Sequence, residues 1–316
     1  MVVNIYKIDY SKIKENLLSL NKNDYLVVKS NAYGFGFENV CLIAYLCGMK
    51  KFCVLDILDA IYLREKYSDS VVLLLGPIDY KYLEKYEKYQ IHITITNNFD
   101  FEMIKGYNIL YQIEINSGMN RFGLLDLPYE IITNDNRFKG VYSHNATNNI
   151  DFINNQLQYF FERVKCFNDI EIHFSSSSTM DLKIPFTNSR RIGCEIYKDS
   201  LEIKAKIIHI NYCLKDSYIG YDYSYKLESN NYIGVIDIGY ADGLERNCNG
   251  FLVYNGKKYF PLIGKACMNH SFILLEDDSL LNKEVTIIGK DNNINNYVNY
   301  FKKIPHEVYL AFLKCY

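Results

Sequence analysis

An α/β fold, built as an N-terminal (β/α)8 TIM barrel followed by a C-terminal mostly β domain, is what the sequence predicts from three features. Eight short apolar runs, separated mostly by segments of helical character, fill about the first 200 residues, the length such a barrel needs. No G-x-G-x-x-G opens the first unit, which argues against a doubly wound nucleotide-binding sheet. After about Leu201, apolar runs follow one another without intervening helices.

Taken in order, Asp9 or Ser11 can cap a first helix carrying Ile13, Leu17 and Leu18 on one face. The run Leu26-Val27-Val28 reads as a strand that delivers Lys29 to its end. A helix over Asn39–Gly48 places Val40, Ile43, Ala44 and Cys47 at helical spacing. Further strands are expected at Phe52–Leu55, Val71–Leu75, Ile91–Ile95, Ile109–Ile115, Gly140–Ser143, Ile170–Phe174 and Arg191–Ile196, with a helix over Phe152–Phe167. Barrel chemistry gathers at strand C-termini. Lys29 falls at one such end, Arg121 lies just beyond another, and His144 follows a third.

In the C-terminal part, Ile207-Ile208-His209-Ile210, Tyr232–Ile238, Phe272–Leu275 and Val285–Ile288 read as strands, closed by helical segments near Tyr297 and the C-terminus. The expected division is 1–203 for the barrel and 204–316 for the β-rich domain. No low-complexity linker or internal repeat marks the junction.

A chain of 316 residues at 49% hydrophobic content can fill a large core. Its net charge of −2 gives no general reason to expect nucleic acid or an anionic membrane as partner. No apolar run approaches the roughly 20 residues needed to span a bilayer, and the first residues lack the layout of a secretory signal. The expectation is a cytoplasmic enzyme. Nine cysteines, odd in number and without a C-x-x-C pair, read as buried free thiols in a reducing compartment. No metal site is expected.

The stretch Leu26-Val27-Val28-Lys29-Ser30-Asn31-Ala32-Tyr33-Gly34-Phe35-Gly36 organises the rest. A lysine closing a buried strand either snorkels from the strand end or has a task. Its amine can form a Schiff base with a carbonyl, the usual anchor for pyridoxal phosphate. Lys-Ser-Asn-Ala-Tyr-Gly-Phe-Gly resembles the lysine signature of the alanine racemases, K-A-N-A-Y-G-H-G, and departs from it only at Ser30 and Phe35. Further matches follow in family order, so the likeness covers nearly the whole chain. It implies a pyridoxal 5'-phosphate cofactor, an isomerase activity on a small amino acid, and a head-to-tail homodimer whose active sites each take residues from both subunits.

Racemisation removes the Cα proton and returns one on the opposite face, so two bases suffice. Lys29 is one. Tyr221, in Ile219-Gly220-Tyr221-Asp222-Tyr223-Ser224-Tyr225, matches the family's catalytic tyrosine, donated by the neighbouring subunit. A phenol ordinarily ionises near about pH 10, so service as a base needs help from donors or cations. The interval to Ile238-Gly239-Tyr240-Ala241-Asp242-Gly243 fits the family's I-G-Y-A-D-G, with Tyr240 in a supporting place and Arg246 matching an arginine of access and interface roles.

Arg191 matches the arginine that donates to the pyridine nitrogen. A guanidinium stays charged, so that nitrogen stays unprotonated and the cofactor becomes a weaker electron sink, which suits racemisation over transamination. The amides of Gly193 and Cys194 would hold phosphate, with Ser177 and the Tyr33 hydroxyl as further donors. His144 resembles the histidine linking tyrosine to arginine; a plain buried histidine is its alternative. Ser117-Gly118-Met119-Asn120-Arg121-Phe122-Gly123 is similar to T-G-M-G-R-x-G, so Arg121 would hold the substrate carboxylate or the cofactor's phenolic oxygen. Cys267-Met268-Asn269 looks like the family's C-M-D turn, whose Met268 amide would approach that carboxylate.

Some positions depart from the pattern. Glu114 stands where many members carry a carbamylated lysine, and would supply an anion without modification. His306 replaces a tyrosine that touches phosphate and borders the substrate side chain, and Asn269 replaces an aspartate. The leading reading is interconversion of L- and D-alanine for peptidoglycan. Serine or another small amino acid is the alternative that His306 and Asn269 favour. A non-catalytic pyridoxal phosphate carrier and a decarboxylase of similar plan are more distant.

Overall fold

The computed structural model describes residues 6–313, which divide into two units. One, here the lysine unit, comprises 14–32 and 36–196. The other, the tyrosine unit, comprises 6–13, 33–35 and 197–313 of the described chain. Strand β1 (Tyr6–Ile8) belongs to the second.

The lysine unit is an α/β structure in which every strand pairs in parallel. Strands β2 (Tyr25–Val27), β3 (Lys51–Val54) and β4 (Val71–Leu74) form one sheet with β9 (Arg191–Ile192), in the order β4-β3-β2-β9. Strands β5 (Ile93–Ile95), β6 (Tyr111–Glu114), β7 (Phe138–Tyr142) and β8 (Glu171–His173) form a second sheet in chain order. Single parallel bridges join Leu73 to His92 and His173 to Ser189, so the flanking strands of the two sheets also meet.

These strands are buried on both faces, which is why they read as near-continuous apolar runs. Leu26, Phe52, Val54, Leu73, Ile93, Ile113, Val141 and Ile192 are all inaccessible or nearly so. Polar residues interrupt the runs: Tyr25, Thr94, Gln112, Glu114, Tyr142, His173 and Arg191 are equally buried. Gln112 and Glu114 stand two apart on β6 and so share a face.

The first helix spans Tyr10–Leu18, and the Asp9 carboxylate accepts the Lys12 amide at 3.0 Å, a normal N-terminal cap. Ile13 and Leu17 are buried as expected, but Leu18 is 56% exposed. One residue beyond Leu17 is about 100° further round the helix, which takes Leu18 off the apolar stripe. The next helix runs Phe37–Leu46 with Val40 and Ala44 buried, and a long one runs Ile150–Val164, capped by Asn149.

The tyrosine unit is antiparallel. Its longest strand, β10 (Leu201–Cys213), pairs with β1, with β13 (Asn231–Ile236) and with β17 (Glu284–Ile288). From β13 the sheet continues through β16 (Ser271–Leu275), β15 (Tyr259–Ile263) and β14 (Leu252–Tyr254) back to β17. The short pair β11 (Tyr218–Ile219) and β12 (Tyr225–Lys226) covers a small core of Ile219, Leu227, Ile233 and Ile263. Helices Ile294–Phe301 and Pro305–Leu313 follow. No helix among the described residues is long and apolar enough to cross a membrane.

Candidate active site

Val28 extends β2 by donating its amide to Cys53 O at 3.0 Å, and Lys29 comes next. The chain then does something its residues do not advertise. Ser30, Asn31, Ala32 and Tyr33 have φ of 54°, 53°, 53° and 57°, one turn of left-handed helix. Each such residue costs about 1–2 kcal/mol relative to a right-handed one, least for Asn. The turn is held by Ala32 N–H to Val28 O (3.0 Å), Gly36 N–H to Asn31 O (3.1 Å) and Phe37 N–H to Asn31 Oδ1 (2.7 Å). Stored backbone strain of this kind concentrates at functional sites. The Lys29 amine is half-buried, and burial first, then the Arg121 charge, lower its pKa against the pull of Cys53. It therefore reaches the neutral form a nucleophile or base needs at lower pH than an exposed lysine.

Arg190, just before β9, and Arg191, its first residue, point to different tasks. Arg190 grips the buried Asp24 carboxylate through Nε (3.1 Å) and Nη2 (2.5 Å). Arg191 turns inward and donates to neutral acceptors: His173 Nδ1 at 2.7 Å, His173 O at 3.2 Å and Ser143 O at 2.5 Å. Its Nη2 also faces His144 Nδ1 at 3.4 Å. With Nδ1 accepting, His173 must carry its proton on Nε2, which meets Gln112 Oε1 at 2.7 Å; Gln112 in turn donates to Tyr25 Oη at 2.8 Å. The His173 ring lies between Tyr25 and Tyr142, at 5.0 and 5.1 Å. The Arg191 guanidinium sits 4.6 Å over the Tyr142 ring.

Burial and these cations set the protonation states. His144 is pushed down to about 3, by burial, then Arg191, Arg121 and Lys29. His173 is held well below its usual range by burial and Arg191, so both rings are neutral at neutral pH. Burial pushes the Cys53 thiol up to about 12. Glu114 accepts from Tyr142 Oη at 3.2 Å, and that phenol also lies 2.9 Å from Thr94 Oγ1. Burial raises the Glu114 carboxyl against the opposing pull of Arg191 and Arg121, so it keeps a proton to higher pH than an ordinary glutamate.

Arg121 rides an exposed loop whose shape is set by Asn116, which accepts the amides of Gly118 (3.1 Å) and Asn120 (3.0 Å). A Cβ on Gly123 would fall 2.7 Å from Glu114 O, so only glycine lets the loop close against β6. The loop borders a depression of about 380 Å³ shared with Thr96 and Asn97. Beyond β9, Ser177 Oγ accepts the amides of Gly193 (3.0 Å) and Glu195 (3.5 Å), gathering hydroxyl and amides at one point. Burial pushes the Cys194 thiol up to about 12.

The remaining candidates belong to the tyrosine unit. Tyr33 and His306 place their rings 5.3 Å apart, and Tyr33 also meets Tyr197. Elsewhere in that unit Gly239-Tyr240-Ala241 and Cys267-Met268-Asn269 interlock: Tyr240 N–H reaches Cys267 O (3.0 Å) and Ala241 N–H reaches Met268 O (2.9 Å). A Cβ on Gly239 would lie 2.3 Å from Met268 O. Arg246 O accepts the Ala266 amide at 2.9 Å, and Lys265 and Arg246 approach Asp222 at 2.8 and 3.8 Å. Tyr221, Tyr240, Arg246, Met268 and Asn269 thus share one surface, and all are exposed. A larger cavity, about 620 Å³ between Lys7, Glu202, Lys290 and Tyr309, holds none of the candidates; its lining charges are of both signs.

The lysine unit therefore brings together Lys29, Arg121, His144, Arg191 and Glu114, and the tyrosine unit brings together Tyr221 and its companions. Sequence reasoning missed His173, Gln112, Tyr25 and Tyr142. The available signal was a polar residue set into the apolar runs of β2, β6, β7 and β8, Gln112 and Glu114 above all. Among the described residues no cluster of three or more His, Cys, Asp or Glu could hold a metal.

Comparison with known proteins adds an independent line. The family model for the alanine racemase N-terminal domain matches residues 8–200, and that for the C-terminal domain matches 200–314. Curated alanine racemases from Listeria monocytogenes serotype 4a (strain HCC23) and Aquifex pyrophilus are 27% and 28% identical, over 96% and 89% of this chain and 93% and 86% of theirs. Crystal structures of alanine racemase from E. faecalis and from Bartonella henselae, the latter with covalently bound pyridoxal phosphate, superpose with TM-scores of 0.86 and 0.87 at 24% and 22% identity. They cover 97% and 99% of this chain and 95% and 98% of theirs. The two domain models together span nearly every residue, and the chain belongs to the alanine racemase family.

Proposed function

We propose that this protein is a pyridoxal phosphate-dependent alanine racemase acting through Lys29 and Tyr221. The observation that carries the proposal is Arg191: a buried, permanent cation whose hydrogen bonds go to neutral acceptors, alongside a lysine with a lowered pKa. That donor set fits the cofactor. Lys29 would hold its aldehyde, Arg191 would donate to the ring nitrogen, and Ser177 with the amides of Gly193 and Cys194 would hold its phosphate. Pyridoxal phosphate, when bound, acidifies the substrate's Cα–H by delocalising the charge left behind.

The chain's own groups do the rest. Arg121 of one copy and the Met268 amide of the other would orient the substrate carboxylate. From L-alanine, Tyr221 Oη of one copy takes the proton and Lys29 Nζ of another returns one on the opposite face; from D-alanine the order reverses. His144, kept neutral, would relay hydrogen bonding between the phenol and Arg191. Tyr240, Arg246 and Asn269 would shape the approach, and Glu114 would steady Arg121.

The eight parallel strands would close a (β/α)8 barrel within 1–203, with 204–316 supplying the β-rich part. The working form would be a cytoplasmic homodimer feeding D-alanine to peptidoglycan. The relatives named above carry the alanine name, which lends no support to serine or to a non-catalytic carrier. Purified protein loaded with pyridoxal phosphate, given a panel of L-amino acids and scored by chiral chromatography, should racemise alanine fastest. Turnover of serine above alanine would redirect the substrate, and none at all would remove the enzyme.

A further inference from the structure

We propose that Asp222 is a positioning residue for Tyr221, and that its carboxylate, clasped by Lys265 and Arg246, fixes the turn from which the phenol projects. The inference rests on the racemase reading of Tyr221. It begins with exposure. Tyr221 is 64% exposed, so the backbone beneath it, rather than packing around the ring, must set its direction.

That backbone is unusual. Gly220, Asp222 and Tyr223 have φ of 74°, 59° and 50°. Glycine adopts this region freely and aspartate tolerates it, but a tyrosine there is uncommon. Two successive side-chain-bearing residues in the left-handed region need something to hold them. The structure supplies it from outside the turn. Lys265 Nζ meets the Asp222 carboxylate at 2.8 Å, and an Arg246 nitrogen stands 3.8 Å away. The Lys265 amide donates to Ser224 Oγ at 3.2 Å, and the Tyr223 ring rests edge-on against Tyr218 at 5.1 Å. Gly264 allows this docking, since a Cβ there would lie 3.0 Å from Ser224 Oγ.

The two cations come from the segments that carry the other exposed candidates. Arg246 follows Gly239-Tyr240-Ala241-Asp242-Gly243, and Lys265 precedes Cys267-Met268-Asn269. The clasp therefore ties three segments into one presented surface. The Lys265 contact also holds the Asp222 carboxyl below the usual carboxylate range, so the clasp stays charged through neutral pH.

The test separates the two bases. Wash-out of the α-proton into deuterated water is followed by NMR for L-alanine and D-alanine separately, using the full-length protein loaded with pyridoxal phosphate. Asp222→Asn should slow exchange from L-alanine, the Tyr221 side, about 10-fold through kcat with little change in KM, and leave exchange from D-alanine within about 2-fold. Lys265→Met should reproduce that asymmetry, and Asp222→Glu should restore most of the rate. Equal slowing from both enantiomers, or no slowing from either, would overturn the clasp. Wild-type protein that exchanges neither enantiomer would instead overturn the racemase reading beneath it.

Discussion

The interior of the lysine unit and the exposed face of the tyrosine unit solve the same problem by different means. Around Arg191, burial does the work: cations and rings are packed together, stripped of water and forced into fixed protonation states. Around Tyr221 almost nothing is buried, and orientation comes from a backbone held in an unfavourable region by exposed contacts. Function and stability should therefore be entangled in the first region and separable in the second.

The largest expected effect is on chemistry in the buried region. Lys29→Ala should abolish alanine racemisation, a loss of at least about 10³-fold, together with the visible absorption of lysine-bound pyridoxal. Persistence of that absorption would move the anchor elsewhere. Tyr221→Phe should cost about 10²–10⁴ in rate while leaving the melting temperature unchanged, because the ring is exposed. A drop in melting temperature would show that the face is not independent of the fold.

Arg191→Met sharpens the contrast. It strands His173 Nδ1 and the Ser143 carbonyl without donors, and should destabilise the protein by about 2–4 kcal/mol in urea unfolding. An unaffected midpoint would mean that Arg191 is not part of the packed interior.

The pH dependence of stability has a definite sign. His144 at about 3 and His92 at about 4, the latter depressed by burial and by nearby Lys139, Arg64 and Lys51, both lie below an unfolded histidine near 6.5. As pH falls below that value the unfolded chain takes up protons that the folded chain refuses. Stability present above about pH 6.5 is thus lost progressively toward pH 4, by up to about 1.4 kcal/mol per pH unit for each histidine. A flat apoprotein stability profile from pH 7 to 5 would contradict it. The smallest effect is local: Ser30→Val places a β-branched residue in the left-handed turn and should cost about 1–2 kcal/mol, read by the same unfolding assay.

Legibility in the sequence followed contiguity. Lys29, Arg121, Arg191 and the Tyr221 stretch sit in short runs whose residue order is itself the signal, and continuous apolar runs announced most strands. The polar interior did not read through, because His173, Gln112 and Tyr25 acquire meaning only when β8, β6 and β2 stand together. The left-handed turn at Ser30–Tyr33 was hidden because Ser, Ala and Tyr carry no mark of positive φ and Asn31 alone only a weak one, unlike Gly34 and Gly36 beside them. Gly34 is needed for a second reason that only packing reveals: a Cβ there would lie 2.6 Å from Leu313 Cβ. Strand β1 was too short to show a period, and its pairing with β10 joins residues nearly 200 positions apart.

Subunit mixing tests the central claim most directly. Lys29→Ala and Tyr221→Phe, each inactive alone, would be combined, partly unfolded and refolded to exchange subunits. If each site takes its lysine from one copy and its tyrosine from another, the mixed dimers hold one intact site, and activity should return to about a quarter of wild type. A mixture as inactive as its components would contradict the account.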